Sequence, residues 1–160
     1  MEEKLTQEEL LLIEEGISFH KTSGAKILKG GILASVLASI IGYTIMGFTL
    51  LDVVLMFLGL ILLTLYIWYS VFERPKSRLK QDHNKGTKIV QAATVKRVKN
   101  NSEGKFYQLS NGLKIKESDF EENQTLLENI GKGKELLLSY TPHHKMILNI
   151  EEKTTAPNQI

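Results

Sequence analysis

The sequence predicts an α+β membrane protein: a two-helix transmembrane hairpin followed by a small five-stranded antiparallel β-barrel-like domain, SH3-like or OB-like, in the cytoplasm. Three observations carry that expectation. From Gly30 to Phe72 the chain has no Lys, Arg, Glu or His and only one acid, Asp52. At roughly 1.5 Å of rise per residue this run is about twice what a hydrocarbon core of about 30 Å requires, so it should cross twice. Cations gather on both flanks of the run and are missing from its middle. From Thr87 onward the apolar period changes to that of strands.

Taken in order, the segments are an N-terminal amphipathic helix and joint (1–26), the hairpin (27–72), a basic linker (73–86), the β domain (87–151) and a disordered tail (152–160). Thr6 and Glu9 form a capping box, and Leu10, Ile13 and Ile17 fall at helical spacing opposite Glu8, Glu14 and Glu15. A short helix is expected from about Gln7 to Glu15, ended by Gly16, with Ser23-Gly24 as a flexible joint. Its acidic face does not suit an anionic leaflet, so it is expected to pack on protein.

Within the hairpin, the helices are expected at about 28–46 and 50–72. Gly47 stops the first, and Thr49 with Asp52 supplies a capping box for the second. Asp52 is read as that cap and not as a proton relay, because no cation lies within the spans to pair with it. Small residues pattern helix one in two rows, Gly30, Ala34, Ala38 and Gly42 beside Gly31, Ser35 and Ser39. Such rows let backbones approach closely in lipid, against the hairpin partner or a second copy.

Orientation follows from charge. Lys21, Lys26 and Lys29 precede the first span; Arg74, Lys76, Arg78, Lys80, Lys85 and Lys88 follow the second. The positive-inside rule then places both termini in the cytoplasm of a bacterial inner membrane, as a multi-pass protein. Tyr66, Trp68, Tyr69 and Phe72 collect where aromatic rings prefer the headgroup region. Pro75 is expected to stop the helix and open the linker, in which Arg74, Lys76, Arg78 and Lys80 are the candidate lipid-headgroup contacts.

In the β domain, strands are expected from Thr87 to Val98, Lys105 to Leu109, Leu113 to Lys116, Lys134 to Tyr140 and Lys145 to Ile150. Asn111-Gly112 should make a tight hairpin turn, because both residues tolerate positive φ. Ser118 with Glu121 is a third capping box, before Phe120, Leu127 and Ile130, which could share one helical face.

Composition narrows function. The chain has 160 residues, net charge +2 and no cysteine, which excludes thiol catalysis, thiolate metal sites and disulfides. The acidic start Met1-Glu2-Glu3 does not suit a cleavable signal peptide. His143-His144 sits in a turn without a third ligand in sequence, so no metal is expected. Gly131-Lys132-Gly133 precedes a strand, where a phosphate loop must follow one and open a helix. Ser110, Ser118 and Ser139 have no G-x-S-x-G setting. No catalytic residue, cofactor or metal is expected, and the chain is read as non-enzymatic.

Phe106 and Tyr107 beside Lys96, Arg97 and Lys99 imitate a single-strand nucleic-acid platform. Strand alternation leaves only one ring exposed, and Glu117, Asp119, Glu121 and Glu122 offset the charge, so nucleic acid is not the expected partner. Ser35, Ser39, Thr44 and Thr64 form no polar stripe for a conducting path. The expected function is a membrane-anchored interaction or scaffold protein whose partners are membrane lipids, an unidentified protein and a second copy of itself. The alternatives are a homo-oligomeric channel or transport component, or a sensor of anionic lipid.

Overall fold

A computed structural model describes residues 1–102, 104–117 and 130–153. The expected cap at Ser118 and Glu121, the residues Phe120 and Leu127, and the tail from 154 onward lie outside the described residues. The chain forms two compact units, one made of Leu10–Asn84 and the other of Met1–Glu9 with Lys85–Ile160.

The first unit is a pair of long antiparallel helices. Helix α1 runs over Gln7–Thr44, and α2, Leu50–Trp68, continues through a π-helical turn, Tyr69–Glu73, into α3, Arg74–Lys85. At 38 residues α1 is about 57 Å long, and the 36 residues from Leu50 to Lys85 reach about 54 Å. Both helices are long and apolar enough to cross a membrane. Between them, Gly47 adopts φ 68°. The Thr49 hydroxyl accepts from the Asp52 N–H at 3.3 Å, and Asp52 Oδ2 accepts from the Thr49 N–H at 3.1 Å, closing a capping box on α2.

Three local expectations are corrected here. Gly16 does not end the first helix, and Ser23-Gly24 is no joint; α1 runs through both. The reason is tertiary, since a Cβ at Gly16 would meet Leu79 Cδ1 at 3.2 Å and one at Gly24 would meet Phe72 Cβ at 2.9 Å. Glycine is retained there for close approach, and packing overrides its low helix propensity. The segment 73–86 is likewise no extended linker. Pro75 lacks an N–H and ordinarily clashes with the carbonyl four residues back. In the π turn the Arg74 N–H instead bonds Tyr69 O, five residues back, and the widened backbone carries the proline into α3.

The second unit is a curled antiparallel sheet, a half-barrel. Strands β2 (Thr87–Asn101), β3 (Gly104–Leu109), β4 (Lys114–Lys116), β5 (Glu135–Tyr140) and β6 (Ile147–Glu152) lie in the order β4-β3-β2-β5-β6. A further strand, β1 (Glu2–Lys4), pairs with the start of β2, Glu3 opposite Lys88. No apolar alternation announces β1, for its residues are Glu, Glu and Lys and all are exposed. The open backbone edge of β2 supplies the pairing. The hairpin from β3 to β4 turns at Gly112, φ 83°, with the Leu113 N–H on Asn111 Oδ1 at 3.2 Å.

Strand β2 organises this sheet. Its first half pairs with β5, Ile89 to Thr94 opposite Tyr140 to Glu135, and its second half with β3, Val95 to Asn101 opposite Leu109 to Gly104. A register shift between Val95 and Arg97 marks the changeover. Bulges bend and twist a strand, which is what lets one sheet curl over its own core. That core contains Val95, Tyr107, Leu109, Ile115, Leu136, Leu138 and Ile150, each at most 1% exposed.

Candidate anion-binding face

The bulge in β2 sorts the charged residues. Past it, Val98 stands opposite Tyr107 and Tyr107 opposite Ile115, a row that packs on or into the core. Side chains alternate across a sheet, so the rows on either side of that one point away from the core. One is Lys99, Phe106, Lys116; the other is Arg97, Gln108, Lys114. Neighbouring strands are about 4.8 Å apart and same-face rows about 6.7 Å apart. Four cations therefore frame one aromatic ring and one amide on a patch roughly 10 Å wide. Lys116 Nζ lies 5.7 Å from the centre of the Phe106 ring, within cation–π range. Tyr107, by contrast, is fully buried.

Glu117 belongs to the other side. Its carboxylate lies 3.6 Å from Lys105 Nζ and accepts from the Lys105 N–H at 3.3 Å. Asp119, Glu121 and Glu122 lie outside the described residues.

The same bulge borders a depression of about 620 Å³ lined by Lys96, Arg97, Val98, Asn100, Lys105, Ile130, Gly131 and Lys132. Arg97 thus belongs to both the outer face and the depression. The Gly131-Lys132-Gly133 turn is fixed beside β2 by the Gly133 N–H on Val95 O and the Val95 N–H on Lys134 O, each 2.9 Å. Gly133 takes φ 93°, a conformation that side chains other than glycine's rarely adopt. The turn is no phosphate loop, but it delivers Lys132 next to Lys96 and Arg97.

Ion pairing within this unit is uneven. Lys85 meets Glu2 at 2.8 Å, Lys88 meets Glu9 at 2.7 Å, Lys134 meets Glu152 at 2.7 Å and Lys153 meets Glu135 at 3.0 Å. Lys96, Arg97, Lys99, Lys114 and Lys132 have no acidic partner among the described residues. Burial pushes the Glu9 carboxyl upward, but the Lys88 and Thr6 hydrogen bonds outweigh it and hold Glu9 below the ordinary carboxylate range. The hydrogen bond from Lys85 does the same for the exposed Glu2.

In the helical unit, the small residues of α1 divide. Ser35, Ser39 and Gly42 are buried, and a Cβ at Gly31 would lie 2.4 Å from Thr64 Cγ2, so this row faces α2. A Cβ at Gly30 would meet nothing within 4 Å; Ala34 is exposed and Ala38 half-buried. Ser35, Ser39, Thr44 and Thr64 each donate to the carbonyl four residues back, at 2.7–2.9 Å. Arg74, Arg78 and Lys80 are exposed on α3, and Lys76 pairs with Glu73. A helix carries Arg74 and Arg78 on one side and Lys76 and Lys80 on another, so these cations surround it.

A second depression, about 580 Å³, lies between α1 and α3, with Lys21, Lys80 and His83 on its wall and His83 Nε2 3.1 Å from Glu14. His143 and His144 stand in the turn from β5 to β6, where the Met146 N–H bonds the buried Thr141 hydroxyl at 3.0 Å. Among the described residues no three His, Asp or Glu side chains converge as metal ligands. The basic face was only partly legible in sequence, because Lys114, Lys116 and Lys132 join it through the β3–β4 register and the glycine turn. Compared with known proteins, the chain matches no family model, no curated protein and no solved structure.

Proposed function

We propose that this chain is a non-enzymatic membrane-anchored adaptor: the helical pair spans the bilayer twice, and the half-barrel recruits an anionic partner through its basic face. The observation that carries the anchor is that α2 buries none of its residues although it is apolar on every side. Leu50, Leu62 and Tyr66 are 72%, 65% and 71% exposed. A core helix of a soluble protein would be mostly buried, whereas exposed apolar surface on this scale is covered by lipid or by another protein.

The positive-inside rule supports cytoplasmic termini, since Lys21, Lys26, Lys29 and the α3 cations all flank the same side of the hairpin. Anionic headgroups around Arg74, Lys76, Arg78 and Lys80 would contribute roughly 1 kcal/mol per cation near the surface. A conducting path has less support, because the hydroxyls of Ser35, Ser39, Thr44 and Thr64 are already engaged by their own helices.

The test is crosslinking in native membranes with a C-terminal tag, followed by mass spectrometry. An adaptor yields the same partner reproducibly, and that partner is lost in Arg97→Gln/Lys114→Gln. Recovery of the chain alone, in both forms, with neither a protein nor a nucleic acid crosslinked to it, contradicts the proposal.

A further inference from the structure

We infer that the outer face of β2, β3 and β4 is a docking surface for single-stranded nucleic acid, phosphates lying along Arg97, Lys99 and Lys114 and a base resting on Phe106. This rests on the adaptor reading and names the chemistry of its anionic partner. Charge complementarity is the first ground. Elsewhere in this unit, lysines meet acids at 2.7–3.0 Å, whereas Arg97, Lys99 and Lys114 have no acidic partner among the described residues.

The second ground is what the cations enclose. Phe106 stands half-buried between Lys99 and Lys116 in register, and Gln108 stands between Arg97 and Lys114. A lipid surface or an acidic peptide matches the charge and leaves the ring without a counterpart. A single strand brings both repeating phosphates and planar π faces, the pairing that sequence-tolerant binders use. Glu117, a counterweight to these cations on sequence alone, bonds Lys105 on the opposite side of the sheet.

The test uses the full chain in phosphatidylcholine nanodiscs and a fluorescein-labelled oligothymidylate of about 16 nucleotides, read by anisotropy. Neutralising about three phosphates predicts roughly twentyfold weaker binding between about 50 and 200 mM salt. Phe106→Leu should weaken oligothymidylate binding about tenfold and leave inorganic polyphosphate binding unchanged. Lys99→Gln/Lys114→Gln should weaken both, whereas Lys4→Gln/Lys145→Gln, a charge-matched control off this face, should weaken neither. Circular dichroism of each variant checks the fold.

Absence of oligothymidylate binding overturns the inference. So does equal loss in the control, or an unchanged affinity in Phe106→Leu with polyphosphate or phosphatidylglycerol vesicles bound as tightly as the oligonucleotide. A stable protein partner in the crosslinking experiment, with no oligothymidylate bound, would leave the adaptor standing and remove only the nucleic acid.

Discussion

Gly31 and Gly30 are neighbours with opposite roles. A methyl group at Gly31 would meet Thr64 Cγ2 at 2.4 Å, and Thr64 cannot easily swing away because its hydroxyl bonds Leu60 O at 2.9 Å. Gly31→Ala should therefore cost about 1–3 kcal/mol, and Thr64→Ala in the same chain should restore most of it. Gly30→Ala meets nothing within 4 Å and should be neutral or stabilise α1 by up to about 1 kcal/mol. Thermal unfolding in detergent, followed by the single Trp68, separates the two. The sequence marked both rows as small without saying which one faces α2, because that depends on the rotation of each helix about its axis. His20 is a second such residue. Burial holds its imidazole below its ordinary value, and its ring sits edge-on to Phe72 of the π turn at 6.3 Å. A base whose folded pKa is depressed stabilises fully above its unfolded value, about 6.5, and loses that contribution as pH falls through it. The hairpin should be less heat-stable at pH 5 than at pH 7.5, and His20→Phe should flatten that dependence.

Among the elements, strand β1 is held by backbone pairing to β2 and by the ion pair of Glu2 with Lys85, and the first turn of α1 that follows it is tied to β2 by Glu9 with Lys88. Both carboxyls lie below their usual range, so their stabilisation is present above about pH 4.5 and is lost as pH falls through the folded values. Hydrogen exchange should show β1 amides losing protection below pH 4 before those of β5. Lys88→Met should lower that protection about fivefold at neutral pH, the equivalent of about 1 kcal/mol for a partly exposed pair. The contrast between β1 and its neighbours shows what a sequence carries. Strands β2 to β6 were visible as alternation and turn chemistry, and the Thr49–Asp52 cap as a spacing of three. β1 has no such signal, since its partner edge is more than eighty residues away. The helices failed the local reading for a related reason: Gly16, Gly24 and Pro75 are breakers in isolation, and the packing of Leu79 and Phe72 and the π turn absorb them.

At the scale of the whole molecule, the chain joins a helical pair clothed in exposed apolar side chains to a half-barrel with a charged outer face. The apolar run was legible because lipid demands long unbroken segments. The basic face was legible only in part: Arg97, Lys99 and Phe106 stand out in sequence, whereas Lys114 and Lys116 join them only through the register of three strands. The two are linked functionally only if the hairpin spans a membrane with its charged flanks inside the cell. The most direct measurement exploits the absence of cysteine. Single Met46→Cys, near the helix turn, and Ser102→Cys, between β2 and β3, are treated with a membrane-impermeant maleimide in intact cells and in lysed cells. Labelling of Met46→Cys in intact cells, with Ser102→Cys reacting only after lysis, is the predicted result. The reverse pattern, or release of the protein from membranes by alkaline carbonate, would contradict the account.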